Sequence, residues 1–345
     1  MKNDLWNYLK KVNKPIVLYG MGNGADKIIA ELEKHDIKIS GVFASDGFVR
    51  EKYFHGFKVS RYLELKNKFG DMVVLLCFGT CLDEVLNNIN KIASQQELYA
   101  PDVPVCGDTL FDGLYAQQNK QELQKIYSLL ADSISKKTFE NTVKYKLSGD
   151  IHYLYDCEVP LDEPYETFLK LGGCETYVDF GAYRGDTVLD FLGRVDTYTH
   201  IYAVEPDKKS YNKMSLLLKD NPDISLINAC ASDVCGNVDF NMDGSRASSV
   251  KEGGIKVKSV TLDSIADDAD ITFVKMDIEG AELPAIMGGA ETIKRCKPKM
   301  QIACYHKSED LTTLPKAILS IRSDYKIYMR HFKGLPAWDT NYYFI

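Results

Sequence analysis

The chain contains two separate segments in which an apolar strand runs into a glycine-containing loop and then into a helical stretch. The first is KPIVLYGMGNGADKIIAELEKH, residues 14–35, and the second is TYVDFGAYRGDTVLDFLGRV, residues 176–195. This local structure is the one with which Rossmann-type sheets hold the nucleoside part of a cofactor. Two such turns in a chain of 345 residues predict two α/β units.

Composition excludes several functional classes. The hydrophobic and charged fractions, 45% and 26%, are those of an ordinary globular protein, and the net charge of −7 disfavours a nucleic-acid partner. We find no signal-peptide core and no apolar run long enough to span a membrane. Nine cysteines occur without a C-x-x-C pair, mostly in apolar contexts. We therefore expect a cytoplasmic protein with reduced thiols and no zinc site.

Strand and helix patterns divide the chain into three parts. In the first part, apolar strands at 39–45 and 72–79 follow the first glycine loop, and a helix is predicted at 82–93. These elements predict a small Rossmann-like α/β domain over residues 1–106. Residues 107–164 have helical periodicity and little strand propensity, which predicts a helical connector. The second unit is expected at 165–345.

The second unit alternates strands and helices as a parallel sheet requires. Two β-rich stretches at its end, 325–332 and 340–345, are joined by a turn containing Gly-Leu-Pro. That turn is too short for a parallel crossover, so the two strands must pair antiparallel. A mostly parallel sheet that ends in an antiparallel hairpin is the architecture of class I S-adenosylmethionine-dependent methyltransferases, and we predict this α/β fold. Its predicted strands and helices are 176–181, 186–195, 200–206, 207–220, 224–232, 271–280, 281–296, 299–306 and 310–321.

From about residue 170 to the C-terminus, the sequence resembles the FkbM-type family of S-adenosylmethionine-dependent methyltransferases. The resemblance is carried by YVDFGAYRGDT, YAVEP, NACASD, TLDSI, VKMDIEGAEL and ACYHKSEDL, in that order. The connector resembles that of bacterial members with an N-terminal Rossmann-like extension. The resemblance implies S-adenosylmethionine as cofactor and O-methylation of a sugar, a glycan precursor of a surface polysaccharide, or a secondary metabolite.

Candidate cofactor residues follow the carboxyl ends of the first three strands of this unit. Asp179 could hold the cofactor's ammonium group, directly or through water, and two glycines let the backbone approach the ligand. Glu205 lies 24 residues after Gly181, where an acid can accept hydrogen bonds from both ribose hydroxyls of either S-adenosylmethionine or NAD. The predicted cofactor-binding set is Asp179, Gly181, Ala182, Tyr183, Gly185, Asp186, Thr187, Glu205, Pro206, Ser232 and Asp233.

The stretch VKMDIEGAEL predicts the reaction centre. Asp277, Glu279 and Glu282 follow a strand at the edge where α/β sheets bind ligands, and Lys275 should share a face with Asp277. Two of these acids could orient an acceptor hydroxyl and take its proton, or Asp277 and Glu279 could hold a divalent ion that lowers its pKa. Acids that merely decorate a helix N-terminus are the structural alternative.

Histidines add two further candidates. His306 ends the fifth strand of the unit and is predicted as a general base, because its ordinary pKa lies near neutrality. His331 is a weaker candidate. The predicted catalytic set is therefore Asp277, Glu279 and His306.

Two further segments have less defined roles. Gly20, Gly22 and Gly24 form a G-x-G-x-G pattern, but the nearest following acid, Asp46, is late for a ribose contact. The N-terminal domain could therefore bind a nucleotide-linked sugar or support a homodimer. The polar loop at 244–254, with Arg246 and Lys251, could close over the site or remain a surface loop.

Two other functions compete with methyl transfer. An NAD(P)-dependent oxidoreductase would use both nucleotide folds, but we find no catalytic Tyr/Lys or His pair beside the first glycine loop. A non-catalytic nucleotide-sugar-binding protein would have lost the acid cluster. The intact acids Asp179, Glu205, Asp277 and Glu279 disfavour that second alternative.

Overall fold

The structure is a computed structural model that describes residues 4–45, 47, 49, 52–241, 249–250 and 255–345. Asp46, Arg246 and Lys251, which the sequence analysis singles out, lie outside these residues. Within the described part of the chain, no helix combines the length and the apolarity needed to cross a membrane.

The N-terminal residues form a six-stranded sheet with helices against it. The strand order is β3-β4-β2-β1-β5-β6, and every pair is parallel except β3–β4. The short β3–β4 hairpin and the last strand are absent from the sequence prediction. The strands are β1 (Ile16–Tyr19), β2 (Gly41–Ala44), β3 (Tyr53–Phe54), β4 (Phe57–Arg61), β5 (Val73–Leu76) and β6 (Glu97–Tyr99), and the helices are α1 (Leu5–Leu9), α2 (Asn23–Lys34), α3 (Tyr62–Phe69) and α4 (Asp83–Ala93).

Helices follow this sheet and lead to the second one. They are α5 (Gly113–Gln118), α6 (Lys120–Leu129), α7 (Ser133–Ser148) and α8 (His152–Tyr155), with a single π-helical turn at Tyr165–Leu169. Aspartates cap α5 and α7, because Asp112 and Asp132 accept hydrogen bonds from the free N–H groups of Tyr115 and Ser135.

The C-terminal residues build a seven-stranded sheet of order β16-β17-β15-β14-β7-β8-β9. Only β17 runs against its neighbours, since both of its pairings are antiparallel. The predicted α/β class, with a mostly parallel sheet and an antiparallel C-terminal hairpin, is therefore confirmed. The strands are β7 (Thr176–Phe180), β8 (His200–Val204), β9 (Ile224–Ile227), β14 (Phe273–Met276), β15 (Lys299–Ala303), β16 (Ile327–His331) and β17 (Thr340–Phe344).

A small sheet of order β10-β13-β11-β12 stands beside the large one. The strand predicted at 224–232 is split, because its end leaves β9 to pair with β13 in this second sheet. The small sheet consists of β10 (Cys230–Ala231), β11 (Gly236–Asn241), β12 (Ser249–Val250) and β13 (Ile255–Val260).

The helices of the C-terminal unit lie between its strands along the chain. The helix predicted at 281–296 is two helices that meet at Gly288 and Gly289. A Cβ on Gly288 would lie 2.2 Å from the carbonyl oxygen of Ser232, so this break allows a close backbone contact. The helices are α9 (Asp186–Leu192), α10 (Lys208–Leu218), α11 (Leu262–Ala266), α12 (Glu282–Met287), α13 (Ala290–Cys296) and α14 (Asp310–Ile321).

The turn of the C-terminal hairpin joins the two sheets. Thr80, just after β5, and Leu335 exchange backbone hydrogen bonds of 2.8 and 2.9 Å. Trp338 covers Gly79 so closely that a Cβ there would lie 2.1 Å from the indole ring. Leu335 belongs to the same hydrophobic cluster as Tyr19 of β1. The turn therefore occupies part of the carboxyl edge of the N-terminal sheet.

A buried arginine fastens the helical segment to the second sheet. Arg330 of β16 is 1% exposed. Its guanidinium group donates to Asp132 at 2.7 Å and to the two carboxylate oxygens of Glu163 at 2.6 and 2.9 Å. It also donates to the hydroxyl of Ser135 at 2.8 Å. This bidentate network connects the N-terminus of α7 to the sheet.

We predict that Arg330→Ala lowers the free energy of unfolding by about 3–5 kcal/mol, because it removes a buried side chain and leaves two partly buried carboxylates without their cation. Urea-induced unfolding measures the change. Arg322→Ala is the control, because Arg322 pairs with Asp324 near the surface. This variant should lose at most about 1 kcal/mol of unfolding free energy. Equal losses in the two variants would contradict the assigned role of Arg330.

Candidate functional site

A cavity of about 710 Å³ opens at the carboxyl edge of the large sheet. This is the edge at which parallel α/β sheets bind their ligands. Residues from the ends of β7, β8, β14 and β15 line it, so the cofactor and catalytic segments predicted from the sequence meet in one place. The predicted residues that line the cavity are Gly181, Tyr183, Asp186, Thr187, Glu205, Pro206, Asp277 and Glu279.

Close backbone packing between the ends of β7 and β14 shapes this cavity. Gly181 has a φ of +86°, and a Cβ at this position would lie 2.1 Å from the carbonyl oxygen of Asp277. Only glycine tolerates both the conformation and the contact. Tyr183 and Glu279, which are not glycines, also have positive φ, +47° and +54°. Backbone strain of this kind is concentrated at functional sites.

Asp179 lies behind the cavity wall. Its side chain is fully buried, accepts a hydrogen bond from the hydroxyl of Thr187, and has one oxygen 3.7 Å from the ammonium group of Lys275. Lys275 is its direct partner in the register of β7 and β14, which explains the ion pair. Burial raises the pKa of Asp179, and Lys275 opposes that shift. Asp179 therefore positions Lys275 and Thr187, which do line the cavity.

Glu205 faces the cavity from the end of β8. Its two carboxylate oxygens accept backbone hydrogen bonds from Tyr183, at 2.9 Å, and from Asp207, at 2.8 Å. Each oxygen keeps a second lone pair for a ligand hydroxyl. Burial raises the pKa of Glu205 to about 7, although both backbone donors lower it. The side-chain amide of Asn228 donates to the carbonyl of Glu205 at 2.7 Å and fixes this turn, a role that the sequence did not reveal.

Other predicted cofactor residues do not reach the cavity. Ala182 is fully buried in the core, and Gly185, with a φ of +90°, packs against α10. Ser232 donates to the carboxylate of Asp233 at 3.1 Å, and both residues lie beyond the wall, which is formed here by Cys230 and Ala231. The strand shift that carries residues 230–231 into the small sheet accounts for this displacement.

The acid turn, residues 277–282, forms the opposite wall. Asp277 accepts a hydrogen bond of 2.9 Å from the hydroxyl of Tyr305. Burial raises the pKa of Glu279 to about 7, and the neighbouring His306 opposes that shift. Gln301 and Asn341, on adjacent strands, add amide groups to this wall. Sequence reasoning missed Tyr305, Gln301 and Asn341, although a polar residue inside an apolar strand was an available signal.

His306 lies behind the acid turn rather than in the cavity. It is 0% exposed, and its Nδ1 atom is 2.9 Å from Oε1 of Glu282, which is equally buried. Its Nε2 atom is 3.4 Å from Asp277 and 3.5 Å from Glu279. Burial lowers the pKa of His306, but the surrounding acids, Glu282 first, raise it overall to about 10. The geometry makes His306 a positioning residue for the acids.

The donor atoms that converge on one point differ from the pair predicted for a metal. Asp277, Glu282 and His306 each offer a ligand atom, and these atoms lie within 4.8 Å of one another. Glu279, which the sequence paired with Asp277, stands beside this group.

The N-terminal unit contacts the acid turn through the segment that leaves its last strand. The backbone N–H of Cys106 donates to the carbonyl of His306 at 3.0 Å, and its thiol donates to the carbonyl of Glu279 at 2.8 Å. Lys27 of α2 donates to the carbonyls of Pro104 and Val105 at 3.1 and 2.6 Å. The N-terminal unit therefore contacts the backbone of the acid turn and of His306.

Packing accounts for two of the three glycines in the N-terminal loop. A Cβ on Gly20 would lie 2.6 Å from the ring of Phe78, and one on Gly24 would lie 2.3 Å from the carbonyl oxygen of Cys77. Gly22 faces open space with a φ of +95°. A nucleotide-linked sugar at this loop stays a prediction.

His331 is buried between the hairpin strands, away from the cavity. Its Nδ1 atom is 2.9 Å from the hydroxyl of Thr340, and burial lowers its pKa to about 4. A histidine of this kind is neutral near pH 7 and serves the packing of the hairpin.

We predict that Glu205→Gln changes how stability depends on pH. Between the ordinary carboxyl pKa of 4.5 and the folded value of about 7, the folded protein holds a proton that the unfolded chain has lost. Glu205 therefore stabilises the fold fully below the lower pKa and loses this contribution as pH rises through about 7. Glutamine does not titrate and removes this dependence. As pH rises from 4.5 to 8, the unfolding free energy of the variant should therefore increase by about 1–3 kcal/mol relative to that of the wild type.

Urea unfolding of both proteins at several pH values measures this difference. All other titrating groups occur in both proteins and cancel in the comparison. A difference in unfolding free energy that stays constant with pH would contradict the buried environment assigned to Glu205.

The chain is similar to known methyltransferases. Residues 179–326 match the family model described as the methyltransferase FkbM domain. A crystal structure of methyltransferase FkbM from Methylobacillus flagellatus KT aligns with 96% of this chain and 90% of its own, at 23% identity and a TM-score of 0.75. That alignment extends over both units and shows a shared fold. No curated protein sequence matches the chain significantly.

Other solved structures are similar over about half of the chain. An rRNA methylase from Streptococcus thermophilus aligns with 54% of this chain and 95% of its own, at 10% identity and a TM-score of 0.36. Fibrillarin from Aeropyrum pernix, in complex with S-adenosyl-L-methionine, aligns with 50% and 67%, at 15% identity and a TM-score of 0.32. The C-terminal unit, which has the cavity at its sheet edge, is therefore similar over residues 179–326 to the methyltransferase FkbM domain.

Proposed function

We propose that the protein is an S-adenosylmethionine-dependent O-methyltransferase acting on a hydroxyl group of a sugar, a glycan precursor or a secondary metabolite. The observation that carries the proposal is that one cavity is lined by Glu205 on one side and by Asp277 and Glu279 on the other. Methyl transfer would need a ribose-binding acid for the cofactor and, beside it, carboxylates that orient the acceptor hydroxyl.

The residues present fit S-adenosylmethionine. Glu205 keeps lone pairs for two ribose hydroxyls, and the backbone of Gly181 lines the same cavity. When bound, the cofactor supplies an electrophilic methyl group on a sulfonium centre. Lys275, already paired with Asp179, adds no unbalanced positive charge beside that centre.

The acid turn would orient the acceptor and remove its proton. Asp277 has its side chain partly exposed to the cavity and is held by the hydroxyl of Tyr305. A carboxylate of this turn would accept the proton that the acceptor hydroxyl loses when it receives the methyl group, with S-adenosylhomocysteine as the leaving group. His306 holds Asp277 and Glu279 from behind, at 3.4 and 3.5 Å. The amides of Gln301 and Asn341 suit an acceptor rich in hydroxyl groups.

The alternatives have less support. The family match over residues 179–326 is to a methyltransferase, which disfavours an NAD(P)-dependent oxidoreductase. The acids that line the cavity disfavour a non-catalytic nucleotide-sugar-binding protein, since such a protein has no need of an acid turn at a sheet edge.

We predict that Asp277→Asn keeps the affinity for S-adenosylhomocysteine within about threefold but lowers turnover by about 100-fold or more, because the amide cannot accept the proton. Turnover is measured as S-adenosylhomocysteine formed with a panel of nucleotide-linked sugars and phenolic acceptors. Asp220→Asn makes the same change in an exposed turn after α10 and should leave both quantities unchanged. Full activity of the Asp277→Asn protein would contradict the mechanism.

A further inference from the structure

The pocket behind the acid turn contains more negative charge than its histidine can balance. Asp277, Glu279, Glu282 and Asp310 surround His306, and Glu282 and Asp310 are 0% and 3% exposed. A buried carboxylate is costly unless a cation or hydrogen-bond donors satisfy it. No lysine forms an ion pair with these four acids in the described part of the chain: the ammonium group of Lys27 donates to the carbonyls of residues 104 and 105. Backbone N–H groups of Lys307 and Ile278 donate to one oxygen each of Asp310 and Glu282.

Some buried polar atoms in this pocket also make no hydrogen bond, although those of His306 lie within ion-pair distance of carboxylates. Within the described part of the chain, neither ring nitrogen of His306 makes a hydrogen bond, although Nδ1 approaches Glu282 to 2.9 Å. The contact has the distance of an ion pair without hydrogen-bond geometry. Oε2 of Glu282 is likewise buried and without a hydrogen-bond partner. Such atoms inside a protein usually have a partner, so they indicate a bound group.

We propose that Asp277, Glu282 and His306 form a binding site for one divalent transition-metal ion, such as Mn²⁺ or Zn²⁺. Their ligand atoms already lie within 4.8 Å of one another. Two ligands that each lie about 2.1 Å from an ion are separated by at most about 4.2 Å, so binding needs only a small contraction. An imidazole with two carboxylates suits these ions better than Mg²⁺ or Ca²⁺, which prefer oxygen ligands alone.

The site would have its open coordination positions toward the cavity. Of the three ligands, only Asp277 lines the cavity, whereas Glu282 and His306 close the site from behind. An ion there would be next to the acceptor hydroxyl and would lower its pKa. This role of the ion rests on the proposed methyl transfer. The binding of the ion does not depend on it.

Metal binding can be tested on the full-length, tag-free protein after treatment with a chelator. Titration with Co²⁺, followed by its visible absorption, should show one ion bound per chain. Glu282→Gln preserves the shape of the side chain and its acceptor for the N–H of Ile278, and it should weaken Co²⁺ binding by more than about 100-fold. Circular dichroism and urea unfolding check that the variant is folded. If Glu282→Gln does not fold, Asp277→Asn provides the same test at the exposed end of the site.

Glu279→Gln is the matched variant, because Glu279 is in the same turn but outside the converging donor set. It should change Co²⁺ affinity by less than about 10-fold. The proposal is overturned if the wild type binds no Co²⁺, or if Glu279→Gln abolishes binding while Glu282→Gln keeps it. S-adenosylhomocysteine binding, measured without metal, separates the two proposals. A protein that binds Co²⁺ but not S-adenosylhomocysteine would contradict the proposed function alone. A protein that binds S-adenosylhomocysteine but not Co²⁺ would contradict the metal site alone.

Discussion

The contact between Gly181 and the backbone of Asp277 determines the architecture of the site. Because residue 181 has no side chain, the loop after β7 packs directly against the start of the acid turn. Glu205, which bonds to the same loop at Tyr183, is thereby brought to one cavity with Asp277. Any larger residue at 181 would separate these two groups.

The N-terminal unit is built into this arrangement. Cys106 bonds to the backbone of both Glu279 and His306, and the turn at Leu335 bonds to Thr80 after β5. The two sheets thus contact each other at their carboxyl edges. Glu279, whose φ is +54°, accepts a hydrogen bond at its carbonyl from the thiol of Cys106. The acid turn is thus contacted by residues of both units.

Much of the fold could be predicted from the sequence because strand periodicity and loop length determine it locally. The antiparallel hairpin followed from a turn too short for a crossover, and the acids after β8 and β14 followed from their place at strand ends. The burial of His306, the bond from Tyr305 and the contact of Cys106 could not be predicted. Each depends on how distant segments pack. Ser232 and Asp233 were displaced for the same reason, since the chain leaves the large sheet at residue 230 to pair with β13.

Calorimetric titration of the purified protein with S-adenosylhomocysteine, repeated with NADH, tests directly whether the cavity binds the cofactor of a methyltransferase. We expect micromolar binding of S-adenosylhomocysteine and no binding of NADH, because the proposed ribose acceptor Glu205 lies in one cavity with the acid turn, within the region that matches a methyltransferase domain. Binding of NADH alone would contradict this expectation.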